Sequence, residues 1–217
     1  MKQLFFIALF FLYSQVALAQ DWIIQEFETA NTAKDVEILT YEEKEAIRYI
    51  NLARLYPKKF AAIEITNCLA DGSYSESKYT TSLINTLKHM KPVGALYFND
   101  NMFQLAKCFA EESGASGYVG HFRKTCKKGY DAECCSYGYE TGRQIALQLL
   151  IDEGVPSLGH RLICLDKSME KVGLNIQPHA KYGNCCVLDF KRKEINYAEN
   201  NKKESSAFFN KLTNIFK

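Results

Sequence analysis

The sequence has few of the features that mark several common classes of protein. Its 217 residues include only four histidines, no CxxC pair and, after the first twenty residues, no apolar run long enough to cross a bilayer. The formal net charge is only +2, with both signs mixed along most of the chain. These absences argue against a cysteine-ligated zinc knuckle, an integral membrane protein and a nucleic-acid partner, which requires a concentrated basic surface.

The first residues predict export. A positive charge precedes an apolar run at 4–13, and the small-residue sequence at 17–19 is of the kind that a signal peptidase cleaves. The run is shorter than the roughly 20 residues needed to span a bilayer, which favours a signal peptide at 1–19 over a membrane anchor. A lipid anchor would need a cysteine after the cleavage site, and the first is Cys68. We therefore expect a secreted or extracellular chain, periplasmic in a bacterium, that begins at Gln20 and has no transmembrane segment.

Eight cysteines in an exported chain predict disulfides rather than metal ligation. Two pairs are adjacent in sequence, and neighbours on an extended strand point to opposite faces, so each member is expected to have a different partner. We expect at least two disulfides, with Cys164 joined to Cys185 or Cys186 as the favoured bond. The remaining connectivity stays open. The candidates are Cys68, Cys108, Cys126, Cys134, Cys135, Cys164, Cys185 and Cys186.

Hydrophobic periodicity predicts four helices. The first follows Thr40, which opens a capping box. Apolar residues then recur at helical spacing over 83–90, over 102–109 and over 145–150. Prolines or glycines close these stretches, so the helices are expected to be short and separated by loops.

Strand signals come late in the chain. Apolar and other residues alternate over 172–176 and 186–190, and a turn pattern lies between them at 182–184. Helices combined with a small antiparallel sheet predict an α+β domain. The expected organisation is a signal peptide at 1–19, an N-terminal segment at 20–39, one domain at 40–190 and a basic amphipathic tail at 191–217.

The tail at 191–217 is rich in lysine and arginine and places Phe208, Leu212 and Ile215 on one helical face. Such a helix suits an anionic membrane or a protein partner. The favoured interpretation is that it packs against its own domain or frays, because an isolated helix this short is marginally stable.

Two histidines in glycine-flanked stretches are the candidates for a functional site. They are His121 and His160, and Glu133, Asp152 and Glu153 lie between them in sequence. Imidazoles and carboxylates around one cavity suit zinc or another divalent cation, or acid–base chemistry. The alternative is that these are ordinary surface residues of loops.

No catalytic nucleophile is assigned. The stretch at 154–159 has the composition of a nucleophile elbow, but its spacing is one residue too long and no strand leads into it. Ser157 is instead expected to cap a helix.

Seven short segments then occur in a characteristic order. They are NLAR at 51–54, LA at 105–106, GH at 120–121, AECCSYG at 132–138, LLIDEGVPSLGHR at 149–161, VGL at 172–174 and VLDF at 187–190. In this order they resemble the CAP superfamily, which contains cysteine-rich secretory proteins, antigen 5 and plant pathogenesis-related proteins, and most closely its bacterial-type branch.

The resemblance implies an α-β-α sandwich with a cleft that holds two histidines and two acids. Carried over by position, these are His121, Glu133, Asp152 and His160, with Glu153 in reserve for the second acid. One departure is that the family's usual Gly-Glu-Asn-Ile is Ala-Glu-Cys-Cys here, so the asparagine is absent.

The resemblance implies an extracellular binding or interaction protein whose cleft holds a divalent cation. Zinc is the preferred ion. The partner is expected to be a protein or a lipid of unknown identity. A first alternative is a metal-assisted hydrolase that uses the same cleft. A second is lipid or sterol binding. The favoured interpretation is a binding protein without catalytic activity.

Overall fold

The structure is a computed structural model and describes residues 21–194. The signal peptide expected at 1–19 and most of the tail expected at 191–217 lie outside the described residues. Among the helices of the described part, none combines the length and apolar character needed to cross a bilayer.

The four predicted helices are present, and the described residues contain further short helices that the sequence patterns did not predict. They are α1 (Ile24–Ala30), α2 (Tyr41–Leu55), α3 (Pro57–Phe60), a π-helical segment (Ala61–Ile65), α4 (Thr66–Ala70), α5 (Lys78–His89), α6 (Asp100–Ser116), α7 (Gly142–Ile151) and α8 (Gly159–Leu165). The Thr40 hydroxyl accepts the backbone N–H of Glu43, whose carboxylate accepts the N–H of Thr40, and this capping box starts α2. Asn99 caps α6, which ends at Gly117 with a φ of +66°.

The described residues form one four-stranded sheet. Its strands are β1 (Tyr97–Phe98), β2 (Ala132–Tyr137), β3 (Met169–His179) and β4 (Gly183–Arg192), in the order β1-β3-β4-β2. The predicted hairpin is β3 and β4, which pair antiparallel with Leu174 opposite Leu188, and β2 adds to β4, also antiparallel. The predicted antiparallel pairing is confirmed for β2, β3 and β4, and the sheet as a whole is mixed, because β1 pairs with β3 in parallel. A strand of two residues is too short to show a sequence pattern.

Helices pack on both faces of the sheet, which makes the domain α+β as predicted. On one face α6 lies so close to β3 that a Cβ on Gly173 would be 1.9 Å from the backbone nitrogen of Phe103. Helices α2, α7 and α8 cover the other face. There α7 meets α2 at Gly142, where a Cβ would lie 2.2 Å from the carbonyl oxygen of Glu42. These close approaches hold the three layers together.

The segment at 20–39, as far as it is described, packs on the domain rather than standing apart from it. Ala30 and Ala33 are completely buried. The fully buried Asn51 of α2 donates from Nδ2 to the carbonyl oxygens of Ala30 and Leu96, both at 3.0 Å. One amide side chain thus ties the N-terminal segment to α2 and to the chain before β1.

One disulfide, Cys108–Cys126, joins α6 to the loop that follows it. The favoured bond from Cys164 to Cys185 or Cys186 is wrong. Cys164 lies in α8, which covers β2, whereas Cys185 packs on the α6 face of the sheet and Cys186 pairs with the far end of β2.

The adjacent cysteines point to opposite faces, as the strand pattern predicts. Cys134 and Cys186 pack in the core beneath α2 and α7, whereas Cys135 and Cys185 pack beneath α6.

Candidate functional site

His121 and Glu133 form the first imidazole–carboxylate pair. His121 lies in the loop after α6, next to Gly120, whose φ of +129° is readily adopted only by glycine. Glu133 is the second residue of β2 and pairs across the sheet with Asp189. His121 Nδ1 lies 2.9 Å from Glu133 Oε1. The imidazole is 54% exposed and the carboxylate 3%, so the pair faces solvent through its histidine.

His160 and Asp152 form the second pair. His160 Nδ1 lies 2.7 Å from Asp152 Oδ1, and the imidazole is 17% exposed while the carboxylate is completely buried. Asp152 ends α7 with a φ of 57°, a left-handed conformation that is uncommon outside glycine. Its conformation turns the carboxylate from the end of α7 toward the start of α8.

Asp152 also caps α8. Its Oδ2 accepts the backbone N–H groups of His160 at 2.9 Å and Arg161 at 3.3 Å, two of the donors that the first turn of a helix leaves without a partner. The expectation that Ser157 caps this helix is wrong, since no side-chain cap is formed from the position before Gly159. His160 is therefore fixed in a helical turn and not in a loop.

The two pairs lie next to each other, with the imidazole planes tilted by 38°. The ring centroids of His121 and His160 are 6.4 Å apart. The four residues expected from the resemblance thus come together, with Asp152 and not its reserve beside His160. Glu153 is exposed and makes no hydrogen bond within the described residues.

A buried arginine, missed from the sequence, organises the carboxylates. Arg123 donates from Nη2 to Glu133 and to both oxygens of Asp189, and from Nη1 to the carbonyl oxygens of Leu105 and Lys127. The available signal was Asp189, an aspartate within the apolar stretch 185–190 of β4, because a buried carboxylate requires a partner.

This ion cluster sets the charge of the site. Burial by itself raises the pKa of Glu133, but hydrogen bonds from His121 and Arg123 outweigh it, so the pKa is lowered and the carboxylate is ionised at neutral pH. Burial and the neighbouring charge of Glu133 raise the pKa of Asp189 despite its contact with Arg123. One guanidinium therefore balances the ionised Glu133.

A thiol adjoins the first pair. The Cys135 Sγ lies 3.7 Å from His121 Nδ1, and a nitrogen, an oxygen and a sulfur of His121, Glu133 and Cys135 all lie within 4.8 Å of one another. This group could hold a metal ion. Burial raises the pKa of the Cys135 thiol well above its usual range, which disfavours the thiolate that a metal requires.

Comparisons with known proteins add little to this geometry. No family model matches the chain, and no curated protein matches it. Among solved structures, the chain is similar to an outer surface protein from Borrelia burgdorferi, with 18% identity and a TM-score of 0.38, over 60% of this chain and 94% of that one.

Proposed function

We propose that the chain belongs to the CAP superfamily and acts as an exported binding protein whose cleft holds a divalent cation through His121 and His160. The observation that carries the proposal is the meeting of two imidazoles, 6.4 Å apart, each held at Nδ1 by a carboxylate. Export is supported by the pattern at 1–19 and by the Cys108–Cys126 disulfide, since disulfides persist in oxidising compartments.

The free nitrogens of the two rings are the proposed ligands. Because the carboxylates accept from Nδ1–H, the lone pair of each neutral imidazole is on Nε2. Within residues 21–194, neither Nε2 of His121 or His160 has a hydrogen-bond partner. Carboxylates that orient histidines in this way are the usual outer shell of a metal site. Zinc fits best, because it favours imidazole nitrogen, whereas calcium favours more oxygen ligands.

Glu133 and Asp152 serve in this proposal as positioning groups rather than as direct ligands. Both oxygens of Asp152 are engaged, with the ring of His160 and with backbone N–H groups. Glu133 is likewise engaged at both oxygens, by His121 and Arg123. Neither carboxylate is free to take a proton from a metal-bound water, which a hydrolase would require. This favours binding over catalysis.

Calorimetric titration of the mature chain with zinc at pH 7.5 tests the proposal. We expect one ion per chain for the unaltered protein and no measurable binding for the His121→Ala/His160→Ala double variant. Glu133→Gln is expected to weaken binding roughly 10- to 100-fold, because it loosens the orientation of His121. His89→Ala is the matched control, since this exposed histidine ends α5.

Two further measurements separate the alternatives. Cys135→Ser should bind zinc as the unaltered chain does. Loss of binding in this variant together with unchanged binding in His160→Ala would assign the metal to His121, Glu133 and Cys135 instead. Turnover on a panel of ester, peptide and glycoside substrates that disappears with the double histidine variant would replace the binding function by a hydrolase.

A further inference from the structure

A cavity of about 790 Å³ lies between α1, α2, α4 and the start of α7. Its volume is within the range of roughly 300–1,000 Å³ that is typical of sites for small molecules. The cavity is open to solvent, and none of its lining residues belongs to the histidine cleft. It is therefore a candidate for a second binding site.

A buried ion pair forms part of the cavity wall. Glu64 is 4% exposed, and its Oε1 accepts the indole N–H of Trp22 at 2.7 Å. Its Oε2 accepts the Nε–H of Arg143, also at 2.7 Å. Glu64 lies in the π-helical segment, and such segments are rare and frequently occur at functional sites. One carboxylate thus holds an aromatic ring and a guanidinium at the same cavity.

Several polar groups of the wall make no hydrogen bond within the described part of the chain. Arg143 uses only Nε in the ion pair, so both of its Nη groups are unpaired there. The Tyr49 hydroxyl and the Asn67 amide have no such partner either. Asp71 uses only Oδ1, which accepts a backbone N–H at 2.8 Å. The cavity therefore offers both donors and acceptors to a ligand.

The charge of the wall disfavours an anionic ligand. The three carboxyl groups of Asp21, Glu64 and Asp71 face the single guanidinium of Arg143. Hydrogen bonds from Ser73 lower the pKa of Asp71, so this exposed carboxylate is ionised at neutral pH. A negatively charged ligand would therefore meet a wall of the same sign.

Two cations of the chain already lie over aromatic rings of the cavity. Lys59 Nζ is 5.4 Å from the centroid of the Trp22 ring, and Arg48 Cζ is 4.7 Å from that of Phe27. Both distances are within the roughly 6 Å over which a ring face attracts a cation. A positively charged ligand would have to compete with these side chains, so the wall is better suited to a neutral ligand.

We propose that this cavity binds a neutral saccharide of one or two rings. The C–H groups on the face of a pyranose ring suit the electron-rich face of an aromatic side chain, and the rings of Trp22, Phe27 and Tyr49 line the cavity. Each sugar hydroxyl both donates and accepts, which matches the unpaired groups of Arg143 and Asn67. The site shares no residue with the histidine cleft and does not depend on whether that cleft binds a metal.

Fluorescence of the full mature chain tests the proposal. The sequence contains one tryptophan, Trp22, so its emission reports on this cavity. The chain is titrated with maltose, cellobiose, chitobiose and lactose under excitation that is selective for tryptophan. We expect a saturable change in emission with at least one sugar, and calorimetry should give one binding site per chain. No saturable change with any of the four would overturn the proposal.

Two mild variants locate the sugar. Asn67→Ala and Tyr49→Phe each remove one uncharged hydrogen-bonding group and should weaken binding roughly 2- to 10-fold. Asn85→Ala is the matched control, because this exposed asparagine lies on α5 outside the cavity. Unchanged affinity in both cavity variants would show that the sugar binds elsewhere and would refute the assignment.

Other probes separate the alternatives. The His121→Ala/His160→Ala double variant should bind the sugar as the unaltered chain does, and loss of binding would assign the sugar to the histidine cleft instead. Phenylacetate and phenethylamine combine an aromatic ring with a negative or a positive group. Saturable binding of either compound without binding of any saccharide would replace the neutral ligand by a charged one and overturn the proposal.

Discussion

At the scale of single residues, Arg123 has the most concentrated set of interactions in the site. Its guanidinium is 1% exposed and contacts two buried carboxyl groups, those of Glu133 and Asp189, while its central carbon lies 4.6 Å from the ring centroids of Phe109 and Tyr130. Neither carboxylate has another cation within this cluster. The charge of the site therefore depends on one side chain.

Replacing Arg123 with Met should destabilise the fold by about 3–5 kcal/mol, because it leaves the buried, ionised Glu133 without its guanidinium partner. Urea unfolding followed by circular dichroism measures the change. Arg192→Met is the control, since that exposed arginine pairs with Asp166 at the surface and should cost less than about 1 kcal/mol. Equal losses in the two variants would show that the buried cluster adds no special stability.

Glu112 provides a pH-dependent contact. Its carboxylate accepts the N–H groups of Lys124 and Thr125 and the hydroxyl of Thr125. The hydrogen bond from the Thr125 hydroxyl is the largest cause that lowers the pKa of Glu112 to about 2, and the backbone N–H groups add to it against the opposing effect of burial. Glu112 thereby secures the loop that carries His121.

The sign of the pH effect follows from this lowered pKa. Glu112 stabilises the fold fully above its unfolded pKa, near 4.5, and the contribution is lost as pH falls toward 2. Glu112→Gln should therefore be less stable than the unaltered chain at pH 7, by less than about 1 kcal/mol because the group is near the surface. The difference in unfolding free energy should narrow as pH falls from 4.5 toward 2. A difference that stays constant over this range would contradict the assignment.

At the scale of elements, the closest contact in the fold is between α6 and β3. Gly173 leaves no room for a side chain there, so Gly173→Ala must push the backbone of α6 away from the sheet. We expect a loss of roughly 3 kcal/mol or more in unfolding free energy, at the upper end of the cost of overpacking. Gly94→Ala is the control, because a Cβ at Gly94 would meet nothing within 4 Å.

Patterns within one element were enough to predict the principal helices and the hairpin. The capping box at Thr40 and the alternation around Leu188 are local signals, and both appear where expected. The two histidines and the acids between them could be selected by residue type in glycine-flanked stretches, but their meeting at one site depends on how distant segments pack. The role of Arg123 depends on how the loop after α6 packs on β2 and β4. No local pattern encodes such packing.

At the scale of the whole molecule, zinc binding should stabilise the folded chain. An ion that binds only the folded state at 100 times its dissociation constant adds about 2.7 kcal/mol, or a rise of about 5–10 °C in melting temperature for a domain of this size. Differential scanning fluorimetry with zinc and with EDTA measures the shift at pH 7.5. The shift should be smaller at pH 5, since a protonated imidazole cannot bind the ion. No shift at either pH would contradict a zinc site.

The carboxylate of Asp152 holds the end of α7 next to the start of α8. Asp152 ends α7, and its side chain accepts backbone N–H groups from the first turn of α8. The residues at 153–158 therefore form a loop whose two ends lie close together. The position of His160 is set by its contacts with Asp152 and not by the length of the loop. The segment is accordingly a natural insertion point, where a peptide added after the exposed Gly154 would extend outward while the cleft keeps its shape.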